Sequence, residues 1–187
     1  MKLRGGLPSL RHKPLARLVI ASFAAAKERF GARLVQFSVQ SNHVHLIGEV
    51  DNRRALSRAV QGLATRLALR LNARLGRRGK VFADRYHARA LRTPLEVRRA
   101  LVYVLHNHRH HGATGAAFRH DSGSGWPSRF DSFSSAAYFD GFTIAVPPCP
   151  RDGFTPSPEP PVAVARTWLL RKGWRRHGLI SPHDLPA

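Results

Sequence analysis

Between Leu34 and Leu75 the apolar pattern changes its period once, and that change limits the possible folds more than any other feature of the chain. Leu34 to Val39 and His43 to Val50 are two short runs rich in branched and aromatic residues, joined by Gln40, Ser41 and Asn42. Such runs around a polar turn predict a β-hairpin. From Arg53 the period lengthens. Leu63, Leu67, Leu71 and Leu75 recur every four residues, the mark of one buried helix face, and Gly76 ends the helix. Arg66, Arg70, Arg74 and Arg77 form a second stripe on that helix, at the rim of the buried face.

The flanking segments extend the pattern. Residues 1 to 4 can end a strand, which Gly5, Gly6 and Pro8 break. Leu15, Leu18, Val19, Phe23 and Phe30 predict a helix from about Pro14 to Phe30, closed by Gly31. Lys80 to Leu91 reads as extended. Thr93-Pro94-Leu95-Glu96 then opens a helix, with Thr93 as N-cap, Pro94 at the first helical position and Glu96 completing a capping box; Gly112 ends it. The order strand, helix, hairpin, helix, strand, helix predicts an α+β domain, an antiparallel sheet with helices packed on one face. That domain spans residues 1–112. Residues 113–187 form a Gly/Ser/Pro-rich extension with aromatic clusters around Trp126 and Tyr138. A short last helix is expected at about Val162 to His177, carrying Trp168, Leu169, Leu170 and Trp174. The extension is expected to fold back through its aromatic residues.

Charge narrows the partners. Of 187 residues, 31 are Lys or Arg and 11 are Asp or Glu, a formal net charge of +20. An excess of that size on a small chain points to a polyanion, nucleic acid before an anionic membrane. No apolar run is long enough to span a bilayer. Leu18 to Ala26 loosely imitates a signal peptide, but it continues into Lys27, Glu28, Arg29 and Phe30 with helical spacing, and the rest of the chain reads as a cytoplasmic nucleic-acid protein. The single cysteine, Cys149, excludes a disulfide framework and a Cys-based zinc site within one chain. No Gly-x-Ser-x-Gly elbow occurs, and Ile47 stands where a histidine-triad hydrolase would want its third alternating histidine.

Three positions carry the candidate chemistry. In a strand, His43 and His45 share a face, with imidazoles about 7 Å apart along it, while Val44 and Leu46 point to the core. The pair can converge on one divalent ion, although paired histidines on a strand are more often ordinary surface residues. On the helix opened by Thr93, Val97, Leu101, Val104 and Leu105 make the buried face, and Tyr103 and Asn107, four apart, stack on a neighbouring one. The Asn107 amide can be a third ligand while the Tyr103 phenol approaches a phosphate held by the metal; the mixed donor set suits Mg²⁺ or Mn²⁺. The bland alternatives are a half-buried helix aromatic and a polar residue near a helix end. His106, His108, His110 and His111 cluster at that helix end, where solvated imidazoles favour the negative pole.

The blocks Ser41-Asn42-His43-Val44-His45-Leu46-Ile47, Gly79-Lys80-Val81-Phe82-Ala83-Asp84-Arg85-Tyr86-His87 and Tyr103-Val104-Leu105-His106-Asn107 resemble, in order and spacing, the single-tyrosine HUH transposases. The likeness is nearest to the branch of REP-associated tyrosine transposases. It covers about residues 3 to 112, and Trp126 to Phe142, with Asp131-Ser132-Phe133-Ser134-Ser135, is similar to the segment that follows the family's catalytic helix. The resemblance implies a ferredoxin-like or RRM-like sheet, His43 and His45 as metal ligands with Asn107 as the third, and Tyr103 as the nucleophile. It further implies a 5′-phosphotyrosine intermediate, single-stranded DNA beside small hairpins as substrate, and a monomer or homodimer. Two departures stand out. His108 follows Asn107 where the family usually has proline, and the family's first strand, central in the sheet, normally carries several residues before the position of Met1, so a weakened central strand is expected.

From Arg53 to Arg99 there are fourteen Lys and Arg against Asp84 and Glu96. Arg66, Arg70, Arg74, Arg77, Arg78, Lys80, Arg85 and Arg89 are candidates for phosphate contacts and Tyr86 for stacking on an unpaired base. The bland reading of this stretch is a solvated charged face. A second functional reading keeps the basic face and drops the chemistry: a catalytically degraded module that binds hairpin DNA or RNA.

Overall fold

A computed structural model describes residues 1–112, 130–146 and 159–185, with only the backbone described for 108–112. Expectations for Trp126, for Cys149 and for the side chains of His108, His110 and His111 lie outside the described residues.

The α+β class holds: an antiparallel sheet with helices packed on it. The predicted hairpin is β2 (Ala32–Val39) and β3 (Val44–Val50), and a short strand β1 (Glu28–Arg29) pairs with the start of β2. On the far side of β3, residues 1–4 form single bridges in place of a full strand. Lys2 bridges His43 and Leu3 bridges Phe82, so the order across the sheet is 81–83, 1–4, β3, β2, β1. This is the ferredoxin-like arrangement with the first strand central. Its ladder is short: Val44 donates to the Met1 carbonyl, Leu3 to Asn42 and Ala83 to Lys2. The stretch expected to be extended from Lys80 to Leu91 therefore pairs only around Phe82, because residues beyond 83 have no neighbouring strand alongside.

Helices α1 (Lys13–Ala24) and α2 (Arg53–Arg74) cover one face. Leu15, Val19 and Phe23 of α1 and Leu63, Leu67 and Leu71 of α2 bury themselves against Phe37, Val39 and Val44. Phe23 and Phe37 meet at 4.9 Å between ring centroids. Asn52 caps α2 by accepting from the Ala55 amide at 2.9 Å, and Gly76, at φ 60°, follows its end. Helix α1 stops six residues short of Phe30. The chain instead turns through Phe30 (φ 59°) and Gly31 (φ 71°) as a two-residue hairpin loop of the mirror-image type that matches strand twist. Phe30 adopts a conformation uncommon for a bulky residue, and its ring lies between the Arg29 and Arg58 guanidinium groups and over Gly62.

Helix α3 (Pro94–Gly112) packs on the opposite face. A bulge at Val35 resets the register, after which Gln36 pairs with Ile47 and Ser38 with His45, and these residues face away from the first core. Ile47, Val97, Leu101, Val104 and Leu105 join Phe130, Phe142, Trp174 and Ile180 of the extension in a second core. The extension thus folds back as expected, and it also covers the outer edge of β2. Val39 donates to the Phe133 carbonyl, Phe37 to the Ser135 hydroxyl and Ala163 to the Leu34 carbonyl. An open strand edge is a template for unwanted pairing, and here it is closed within the chain. Asp131, fully buried, receives both ends of the Arg11 guanidinium at 2.8 Å and pins this segment to the loop before α1.

The last helix is much shorter than its apolar spacing predicts. Residues 159–167 run without helix, held where Glu49 accepts from the Arg166 and Thr167 amides; one helical turn, α4 (Trp168–Arg171), and a 3₁₀ segment at Gly173–His177 follow. Val162 is spent in the first core rather than on a helix face.

The capping box that opens α3 is formed. Thr93 Oγ1 accepts from the Glu96 amide, and Glu96 Oε2 accepts from the Arg92 and Thr93 amides. The Arg92 amide, then the Thr93 amide and the charges of Arg89 and Arg92, lower the Glu96 pKa below its usual 4.5. A depressed carboxyl pKa means stability that is present above 4.5 and lost as pH falls through the lower, folded-state value. Glu96→Gln is therefore expected to lower the urea midpoint at pH 7, with a deficit that shrinks as pH falls below 4.5. A deficit that does not change with pH would refute the carboxylate's part in the cap.

Candidate active site

His43 lies at the turn into β3 and His45 is that strand's second residue. The His43 carbonyl accepts from the Gln40 amide at 2.8 Å, closing the turn, and Lys2 pairs with it from the other side. Because side chains alternate along a strand, Val44 enters the first core and both imidazoles emerge on the α3 face, as expected. Leu46 is half-buried against the first core.

The two rings converge. Their Nε2 atoms are 2.8 Å apart, with the rings perpendicular and centroids 4.6 Å apart. His43 Nδ1 lies 2.8 Å from Asn42 Oδ1. Asn42 thus adjoins the ring of a candidate ligand, the place that outer partners take around metal-binding imidazoles. Sequence reasoning placed Asn42 only in the turn; an amide adjoining the first histidine was the available signal.

Helix α3 brings Tyr103 to the same place. Its half-buried ring stands edge-on to His45, 5.1 Å between centroids and at 86°. Asn107, one helical turn on, is fully buried, and neither Oδ1 nor Nδ2 has a hydrogen-bond partner among the described residues. A buried carboxamide without partners is costly, and native structures carry few of them. Two imidazole nitrogens aimed at one point and an orphaned amide one turn from Tyr103 fit a divalent cation with mixed nitrogen and oxygen donors. Among the described residues no group of three His, Cys, Asp or Glu side chains converges.

His106 differs from expectation. It is fully buried, stacks on Phe142 at 5.8 Å, and its Nδ1 lies 3.0 Å from the Asp184 carbonyl. The extension covers this side of α3, which the helix pattern alone could not show.

The cationic candidates are dispersed. Arg66, Arg70 and Arg74 ride on α2, across the sheet from the imidazoles, and Arg70 Nη1 donates to Ser22 Oγ on α1 at 3.0 Å. Tyr86 is half-buried, its hydroxyl 3.2 Å from Ser57 Oγ at the beginning of α2. Arg78, Lys80, Arg85 and Arg89 are exposed, and Arg77 is half-buried at the end of α2. The structure brings His43, His45 and Tyr103 together and leaves the α2 arginines apart from them.

No curated protein and no solved structure gives a significant match to the chain. A family model described as transposase IS200 like does match, over residues 9–106. The matched stretch contains the hairpin, both histidines and Tyr103, and stops one residue before Asn107. It takes in more than half of the chain and all three residues that converge: the chain belongs to the IS200-like transposase family.

Proposed function

We propose that this IS200-like transposase, by its family a DNA-processing enzyme with DNA as partner, is a metal-dependent single-strand endonuclease and strand transferase. It works through a 5′-phosphotyrosine on DNA flanked by hairpins. The observation that carries the reading is the convergence of His43 and His45 Nε2 atoms at 2.8 Å with the Tyr103 ring against His45.

His43, His45 and Asn107 would hold the ion, Mg²⁺ or Mn²⁺. When bound, such an ion draws charge from a phosphate oxygen. Tyr103 supplies the nucleophile. Its Oη–P bond forms as the P–O3′ bond breaks, and the phenolic proton ends on the departing 3′-oxygen. The products are a 5′-phosphotyrosine and a free 3′-hydroxyl, and attack by a 3′-hydroxyl on the tyrosyl ester reverses the step and joins strands. The ester keeps the energy of the cleaved bond, so no nucleotide cofactor is required. The surrounding second core holds α3 in place for the attack. The likeness of the blocks around His43, Phe82 and Tyr103 supports assignment to the REP-associated branch, acting as monomer or homodimer in the bacterial cytoplasm.

The test is incubation of the purified chain with labelled single-stranded DNA from the gene's own flanks and Mn²⁺, followed by denaturing electrophoresis. A denaturant-resistant protein–DNA band that chelator removes is expected. Salt-sensitive binding with no band would favour the degraded hairpin-binding module instead. The ligand assignment has its own check: His45→Ala is expected to weaken Mn²⁺ binding by about tenfold or more in a direct titration. Unchanged affinity would refute it.

A further inference from the structure

Where the loop at residues 5–8, the end of α2 and residues 77–80 meet, the surface opens into a cleft of about 490 Å³ lined by Arg4, Gly5, Gly6, Leu75, Arg77 and Lys80. No Asp or Glu lines it, and none of its three cations is in an ion pair among the described residues. Arg77 is the anchored member. Its Nη2 donates to the Arg78 and Lys80 carbonyls, each at 3.3 Å, while its Nη1 is buried with no hydrogen-bond partner among the described residues. The wall beside it is fixed by Asn72 Nδ2, which donates to the Gly79 carbonyl at 2.8 Å. Two exposed cations, Arg4 and Lys80, beside a guanidinium held in one orientation and with no competing carboxylate make a receptor for a phosphate group.

One lining residue, Arg4, belongs to the segment that pairs with the start of β3. Lys2 pairs with His43, and Arg4 is two residues further along the same segment, about 7 Å away at the usual strand rise. Lys2 and Arg4 share a face opposite to Leu3, which is buried in the first core, so Arg4 starts on the side of the sheet that carries the imidazoles.

We propose that this cleft grips one internal phosphodiester of the DNA strand, outside the bond that is cut, and so sets which phosphate lies at the histidines. The proposal rests on the DNA-cleaving reading of His43, His45 and Tyr103 and adds a register-setting site to it. It differs from a general basic face in predicting one position on the strand rather than a uniform contribution from many.

The experiment uses the full chain, a single-stranded oligonucleotide from the gene's own flanks, and a set of copies each carrying one uncharged methylphosphonate. Arg4→Gln/Lys80→Gln removes two exposed charges without touching either core, and Arg77→Lys is the second variant. In the parent, one substituted position away from the cut is expected to weaken binding by roughly three- to tenfold, with a fall in the log–log salt slope of about 0.7. In the double variant that position is expected to lose its effect, while the denaturant-resistant adduct still forms at saturating DNA with cuts spread over neighbouring phosphates. A parent and a double variant with the same methylphosphonate profile overturn the proposal. So does binding of inorganic phosphate to the parent, abolished in the double variant, with no change in the oligonucleotide profile, which would make the cleft a small-anion site. Loss of the adduct in the parent itself would instead overturn the cleavage reading, which the binding profile reports separately.

Discussion

Tyr103→Phe is expected to lower formation of the covalent protein–DNA adduct by about a thousandfold or more while DNA affinity stays within about twofold. The change removes one oxygen. The ring that stands edge-on to His45 at 5.1 Å remains, and so does its half-buried seat on α3, so the fold loses little. What is lost is the only part of the side chain able to form a bond to phosphorus. The two other tyrosines lie elsewhere. Tyr86 is tied to Ser57 on the α2 side, and Tyr138 packs against the first core. If Tyr103→Phe still gave the adduct at the parent's rate, the nucleophile assignment would fall and those two would be the candidates. The informative pair of measurements is adduct yield at saturating DNA and binding by anisotropy. A loss of both together would mean that the substitution had disturbed α3 rather than removed a nucleophile.

The parts of this molecule legible in the sequence are those set by neighbours along the chain. Thr93, Pro94 and Glu96 announce α3 because a capping box needs only four consecutive residues, and its hydrogen bonds are present. The leucine stripe of α2 and the β2–β3 hairpin are legible for the same reason. His43 and His45 share a face because strand alternation is local, and the spacing that stacks Tyr103 and Asn107 one turn apart on α3 is local too. The misreadings arise where distant residues decide. Phe30 looks like the end of an amphipathic helix, yet it occupies a left-handed turn that sequence reasoning reserves for glycine or asparagine, and it is held there by Arg29, Arg58 and the space above Gly62. Val162 to His177 has helical spacing, but Val162 is drawn into the first core and Ala163 donates to Leu34, so the backbone there runs beside β2 instead of coiling. The burial of His106 depends on the extension lying over α3, where Phe142 and Asp184 meet it, and nothing within the helix announces that.

That dependence makes the extension the subject of the second large effect. Trp174→Ala is expected to lower unfolding free energy by about 3–5 kcal/mol. The indole is 1 % exposed, stacks on Phe139 at 5.5 Å, donates through Nε1 to the Leu170 carbonyl at 3.1 Å, and fills the space beside Gly141 so closely that a Cβ there would collide with it. It belongs to the same core as Val97, Leu101 and Leu105 of α3. A loss of this size is a large share of the 5–15 kcal/mol of an ordinary domain. The deficit should fall first on the element the indole supports. Amide exchange along α3 is expected to accelerate while α1 and α2, which share the other core, keep their protection. Adduct formation should decline more than DNA binding, because Tyr103 and Asn107 ride on the loosened helix whereas most of the exposed cations do not. If exchange rose only within 159–185 and α3 kept the parent's protection, the extension would be an appendage laid on a self-sufficient domain. If α3 and the extension loosen together, the catalytic helix is held between the sheet and the C-terminal segment, and the functional unit extends beyond residue 112 into the aromatic residues that follow it.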